Sequence, residues 1–157
     1  MHKENHQTFL PVVLNITGKK IVIVGGGRVG LHKATILNRF TQEATVVSPS
    51  FREGFEELPF RLVQKEYQVE DIQDAFLVYV CTENEELNAR IKHEAERLGV
   101  LASVCDNPDL CDFISPAIFK QDNICIAVSS NAKDVHRSIR IRNRIGELAE
   151  ENKELLT

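Results

Sequence analysis

Lys19-Lys20-Ile21-Val22-Ile23-Val24-Gly25-Gly26-Gly27-Arg28-Val29-Gly30 is the stretch from which the fold of this chain is read. Ile21 to Val24 form an unbroken run of β-branched residues, the pattern of a strand buried on both faces of a parallel sheet. Three glycines follow, and Gly25, Gly27 and Gly30 fall on a G-x-G-x-x-G spacing. In that spacing the first glycine permits a tight turn, the second lets backbone approach a pyrophosphate, and the third lets a helix pack close to the strand. A helix is expected next, with Val29, Ile36 and Phe40 near one face and Gly30, Ala34 and Leu37 beside it. Its free N–H groups and positive dipole end would point at phosphate. Gly25, Gly26, Gly27, Arg28, Val29 and Gly30 are therefore candidate dinucleotide contacts.

Working outward, Ala44 to Val47 reads as the second strand. An acidic residue for the ribose 2′-hydroxyl belongs at its end, but Ser48-Pro49-Ser50 stands there. Serine can bond a ribose hydroxyl without repelling a 2′-phosphate, so local residues leave NAD and NADP both open. Phe60 to Val63 is a third, edge-like strand and Ala75 to Cys81 a buried fourth. Thr82-Glu83-Asn84-Glu85 has the form of a capping box. The helix behind it would bury Leu87, Ile91, Ala95 and Leu98 and stop at Gly99. Val100 to Val104 is the fifth strand. The order predicts an α/β fold with a doubly wound, Rossmann-type parallel sheet. Ligands of such sheets sit beyond the carboxyl ends of the strands, which places the 25–30 loop, Ser48, Thr82 and Asp106 along one rim.

Beyond Asp106 the pattern changes. Asn107-Pro108-Asp109 breaks the chain, Phe113 to Ile118 is a second apolar patch, and an Asp122-Asn123 turn leads into a sixth strand, Ile124 to Val128. Residues 133–157 read as a helix with a basic start and a partial apolar stripe of Val135, Ile139, Ile145 and Leu148. Its bland reading is a solvated or dimer-packing helix; its sharper one is a surface for a polyanionic ligand.

A net charge of −4 gives no global pull toward nucleic acid or anionic membrane. No apolar run approaches the roughly 20 residues that span a bilayer. Met1 to Phe9 lack the apolar core of a signal peptide, so a cytoplasmic protein with a frayed start is expected. Of the four cysteines, Cys81 and Cys125 lie in apolar strand-like runs as small hydrophobes. Cys105 and Cys111 flank a loop without a nearby histidine to complete a zinc set. His32 and His93 are expected on solvated helix surfaces.

Several blocks in order resemble the dehydrogenase module of the siroheme synthase family, the precorrin-2 dehydrogenases and sirohydrochlorin ferrochelatases. They are Val24-Gly25-Gly26-Gly27-Arg28-Val29, Lys33-Ala34, Cys81-Thr82-Glu83-Asn84-Glu85-Glu86-Leu87-Asn88, Val104-Cys105-Asp106-Asn107-Pro108, Phe113-Ile114-Ser115-Pro116-Ala117 and Ile126-Ala127-Val128-Ser129-Ser130. The resemblance implies NAD-dependent oxidation of precorrin-2 to sirohydrochlorin and, in some members, insertion of Fe²⁺ at the same site. It implies a homodimer, with a nucleotide-binding domain over 1–112 and a dimerisation segment over 113–157. The family's catalytic aspartate falls on Asp106. Cofactor contacts fall on the glycine loop and on Ser48, Pro49, Ser50 and Thr82. Ser129, Ser130, His136, Arg137 and Arg140, with Lys120, would meet the carboxylates of the tetrapyrrole. Two features depart from the family. Asn131-Ala132-Lys133-Asp134-Val135 replaces its usual "G-G-x-S-P", and its C-terminal helical domain is expected to be truncated. The competing class is an NAD(H)-binding regulatory sensor without catalysis.

Overall fold

The computed structural model describes residues 7–157, which fall into two compact units: 14–113, and 7–13 together with 114–157. The first holds five strands, β1 (Ile21–Val24), β2 (Thr45–Ser48), β3 (Arg61–Gln64), β4 (Leu77–Val80) and β5 (Leu101–Val104), and two helices, α1 (Arg28–Leu37) and α2 (Glu85–Leu98). Its sheet runs β3-β2-β1-β4-β5 and every pair is parallel. Strand order reverses between β1 and β4, the topological switch of a doubly wound sheet.

Period-two alternation explains how so short a sheet is buried on both sides. Val22 and Val24 turn to one face with Val78, Val80, Ala102 and Val104, where Ile91 and Ala95 of α2 cover them. Ile21 and Ile23 turn to the other with Val46 and Leu77, beneath Ala34 and Leu37 of α1 and Phe55. Each face thus has its own apolar layer, which is why the sequence of β1 reads as continuous rather than alternating. As expected, β3 lies at an edge, and Gly99 (φ 70°) ends α2.

Several details differ from the sequence reading. The buried face of α1 is Gly30, Ala34 and Leu37, with Val29 packed partly buried beside it, while Ile36 stays outside the core cluster; the helix ends at Leu37, and Phe40 is exposed beyond it. Thr82 does not cap α2. Asn84 does, its side chain accepting from the Leu87 N–H at 3.0 Å. Leu98 is exposed because the 14 residues of α2, about 21 Å of helix, overrun strands of four residues, about 13 Å long. The crossover from β2 to β3 is a single 3-10 turn, Phe55–Glu57, rather than a helix, and fully buried Phe55 fills the space beneath it with Phe51, Leu58 and Phe60.

A lysine sits unannounced among the buried residues of α2. The Lys92 ammonium lies 2.6 Å from Asp112 Oδ1 and 3.2 Å from Glu96 Oε1. Burial alone would push its pKa down, but these carboxylates outweigh it and hold it above the ordinary lysine value. Asp112 also takes both backbone groups of Ala102: its Oδ2 accepts the Ala102 N–H at 2.9 Å, and its own N–H donates to the Ala102 carbonyl at 2.8 Å. Asp112→Ala leaves a buried cation short of its main partner. A loss of about 2–3 kcal/mol is expected, read as a lower midpoint in urea. Because the folded Lys92 pKa is raised, the pair's contribution is full below the unfolded lysine value and fades as pH rises through the folded one.

The second unit is a hairpin and a helix. β6 (Ala117–Gln121) and β7 (Ile124–Val128) pair antiparallel, joined at Asp122-Asn123, with Asp122 at φ 51°. The turn and β7 are as read from sequence; β6 extends the apolar patch into a strand. α3 (Val135–Glu151) packs on this hairpin and stops short of the chain end at 157. Its packing face is made of small residues: Ser138 and Ala149 are buried, and Gly146 lies against the Phe119 ring. Val135 and Leu148, placed on the stripe by periodicity, are exposed. So is Cys125, because Ile126 and Val128 take the covered face of β7. The expected frayed start lies, over 1–6, outside the described residues. Residues 7–9 are tied down: Asn131 Nδ2 donates to the Gln7 carbonyl at 2.6 Å and its Oδ1 accepts the Phe9 N–H at 2.7 Å. Among the described residues no helix is long and apolar enough to cross a membrane.

Candidate nucleotide site

The glycine loop is shaped by crowding at three positions and openness at a fourth. At Gly25, φ is +123° and a Cβ would strike the Cys81 carbonyl. At Gly26 it would meet the Ser50 carbonyl and the Ser48 side chain, and at Gly30 the Gly25 carbonyl. A Cβ on Gly27 would meet nothing within 4 Å. Gly27 is also the residue before α1, with no side chain bonded to the helix N–H groups. The loop therefore presents bare backbone donors and a dipole end toward free space, the arrangement that receives a phosphate. Backbone bonds fix it: Gly25 N–H to the Val47 carbonyl at 3.0 Å, and Arg52 N–H to the Gly26 carbonyl at 2.7 Å.

That space is a cleft of about 1180 Å³ over the carboxyl ends of β1, β2 and β4. It is walled by Gly25 to Arg28, Ser48 to Arg52, Cys81 to Asn84 and, at its far side, Tyr67 and Arg90. Ser48 is buried against Gly26, while Pro49 and Ser50 are exposed. Arg90 lies over the Tyr67 ring, 5.8 Å from its centre, and the Tyr67 hydroxyl donates to Glu94 Oε2 at 2.8 Å. Burial, then the Glu94 carboxylate, holds this phenol well above its ordinary pKa.

A second cavity of about 500 Å³ shares Gly27, Arg28, Cys81, Thr82 and Glu83 with the first, and adds Val29, Cys105, Asp106 and Asn107. Asp106 follows β5 at φ 65° and its side chain is exposed. Thr82 follows β4 and is held by its neighbours. Its hydroxyl bonds Asn88 Oδ1, the Asn88 amide donates to the Thr82 carbonyl at 3.0 Å, and the Asn84 N–H donates to Thr82 Oγ1 at 3.2 Å. Thus Gly25 to Val29, Ser48 to Ser50, Thr82 and Asp106 line two adjoining cavities on one rim, while Gly30, expected among the cofactor contacts, lines neither and is buried against the Gly25 carbonyl. Arg52, Tyr67, Asn88 and Arg90 were not singled out from sequence. Arg52 lies just past the serines and was within reach of that reading, whereas Tyr67 and Arg90 carry no spacing signal.

Beneath the second cavity Cys81 and Cys105 bring their sulfurs to 2.6 Å. The contact pushes the Cys81 thiol up and draws the Cys105 thiol down, so Cys81 keeps the proton that Cys105 gives up most readily. The Lys33 ammonium favours the Cys105 thiolate further. The expected substrate residues lie in the other unit. Ser129 and Ser130 shape the turn before α3, where Ser130 Oγ accepts the Asp134 N–H at 2.8 Å. His136, Arg137 and Arg140 are exposed on the helix itself. Among the described residues no group of three His, Cys, Asp or Glu is arranged to hold a metal ion.

A family profile described as "Putative NAD(P)-binding" matches residues 12–117. The siroheme synthase of Nitrosococcus oceani is 34% identical over 126 residues, covering 78% of this chain and 27% of that protein. That of Ectopseudomonas mendocina is 37% identical over 124 residues, with 78% and 27% covered. That of Stutzerimonas stutzeri is 36% identical over 140 residues, with 85% and 30% covered. This chain therefore spans less than a third of the length of these relatives. Among solved structures, one described as SirC, precorrin-2 dehydrogenase, superposes with a TM-score of 0.77 at 21% identity, covering 88% of this chain and 70% of that one. The likeness is one of fold.

Proposed function

We propose, from the premise that this chain belongs to the NAD(P)-binding family, that it holds NAD in the larger cleft and oxidises precorrin-2 to sirohydrochlorin in siroheme synthesis. One observation supports this above the rest. Gly27 is the open position in a loop that is otherwise closed by backbone, and the cavity beside it holds an exposed carboxylate, Asp106. The matched siroheme synthases and SirC, named as a precorrin-2 dehydrogenase, supply the substrate class.

The residues present fit such a cofactor. Three glycines hold the loop against β4 and the end of β2, so that the N–H groups at the start of α1 face the open space. Ser48 and Ser50 offer hydroxyls and no carboxylate at the end of β2. When bound, the nicotinamide accepts the hydride that the oxidation releases. The chain must deal with the proton. Asp106 is placed to take it at a carboxylate oxygen, because the left-handed turn after β5 turns the residue outward into the smaller cavity. The Thr82 and Asn88 bonds keep the opposite wall fixed.

The 113–157 segment is assigned to dimerisation and substrate capture, with Ser129, Ser130, His136, Arg137 and Arg140 as contacts for the carboxylates of the macrocycle. Arg137→Glu with Arg140→Glu is expected to raise KM for precorrin-2 by about tenfold and to leave NADH affinity within about twofold. Equal loss of both would assign these arginines to folding or assembly.

The deciding experiment mixes the protein, NAD and precorrin-2 without oxygen and follows fluorescence of reduced nicotinamide. Its growth in step with sirohydrochlorin absorbance is expected. NAD binding without any reduced product would make the chain a nucleotide sensor and end the proposal.

A further inference from the structure

We propose that Cys81 and Cys105 are a redox-active dithiol that closes to a disulfide in the floor of the smaller cavity when the protein meets a peroxide. Register brings them together. Val80 pairs with Val104, each cysteine is the first residue past its strand, and the Cys105 N–H still donates to the Val80 carbonyl at 2.9 Å. Neighbouring strands lie about 4.7–4.9 Å apart, inside the roughly 4.4–6.8 Å Cα range that a disulfide spans. The sulfurs already face each other at 2.6 Å, so closure needs no backbone rearrangement. The other two cysteines are differently placed. Cys111 turns away, donating to the Val104 and Asn107 carbonyls at 3.3 Å each, and Cys125 is exposed in the other unit.

The chemistry divides between the two sulfurs. Both sulfur-bearing residues border the cavity, but Cys105 is half-buried whereas Cys81 is buried, so Cys105 is the thiol that a small oxidant reaches first. The Cys105 thiolate attacks one oxygen of hydrogen peroxide. The O–O bond breaks, hydroxide leaves and takes up a proton, and Cys105 becomes a sulfenic acid. The Cys81 sulfur then attacks the Cys105 sulfur, losing its proton as the S–O bond breaks and water departs. Two thiols and one peroxide give one disulfide and two waters. Thr82 and Asp106 are the next residues after these cysteines, so the bond ties together two strand ends that bound the same cavity.

The test is thiol counting and peptide mapping on the full chain after hydrogen peroxide, with no substrate present. The expected result is a fall from four free thiols to two, a cross-linked peptide joining Cys81 to Cys105, and full recovery with dithiothreitol. The same loss of two thiols is expected in Cys111→Ala and in Cys125→Ser. Cys105→Ala and Cys105→Ser should form no internal disulfide. Retention of both thiols while Cys125 oxidises would overturn the proposal, as would a cross-link to Cys111. Neither readout depends on dehydrogenase activity, so this inference can fail while the proposed function stands, and the reverse.

Discussion

Asp106→Ala is expected to slow precorrin-2 oxidation by about 10²- to 10⁴-fold, the usual worth of a positioned acid–base group, with NAD affinity within about twofold of the parent. The cleft and the carboxylate are separable. The larger cavity that would hold the nucleotide phosphates has no wall contributed by Asp106, which belongs to the smaller one. Alanine is not a neutral probe here, because φ at this residue is 65° and side chains with a Cβ resist that region unless they are Asn or Asp. Asp106→Asn removes the charge and keeps both the shape and the tolerance of the turn. If the carboxylate takes the proton, both variants lose activity alike. Wild-type rates in Asp106→Asn with loss in Asp106→Ala would reduce the residue to a turn former. Steady-state kinetics with NADH titration decides between them.

The second large effect is a contrast between two glycines two residues apart. Gly25→Ala combines a left-handed φ of +123° with a collision between the new methyl and the Cys81 carbonyl. Neither atom can move without parting β4 from β1, the central strand of the sheet. A loss of at least about 3 kcal/mol is expected, seen as a much lower unfolding midpoint or as insoluble protein. Gly27→Ala should behave in the opposite way. The methyl meets nothing within 4 Å and the backbone at φ −87° accepts it, so stability falls by less than about 1 kcal/mol. Yet it fills the space left for phosphate, and NADH affinity should fall at least about tenfold. Thermal melts paired with fluorescence titration check both halves. Unchanged NADH affinity in Gly27→Ala would remove the phosphate from this loop.

How much of this could be read in advance follows from where each signal resides. β1, the glycine loop and the stop at Gly99 are local events, each written in a few adjacent residues, and all three stand where the sequence placed them. The rim also follows, since a parallel order fixes which strand ends meet. The N-cap of α2 was misread because Thr82 and Asn84 both suit the position. The choice fell to Asn84 once Asn88 had engaged Thr82. Phe55 gave no periodicity, being one residue in a turn, yet it fills the core beneath a crossover that has no helix. Tyr67 and Arg90 reach the cleft from separate elements, and the meeting of Cys81 with Cys105 depends on strand register. Neither is a property of neighbouring residues.

Asp112 has one more effect, at the border of the sheet. By taking both main-chain groups of Ala102 it covers the free side of β5, while Arg61, Gln64 and Lys65 line the opposite margin at β3 with polar side chains. A naked strand flank recruits strands from other molecules, and polar or covered flanks discourage it. The same carboxylate that steadies Lys92 therefore also works against fibril-like growth of the sheet into neighbouring copies.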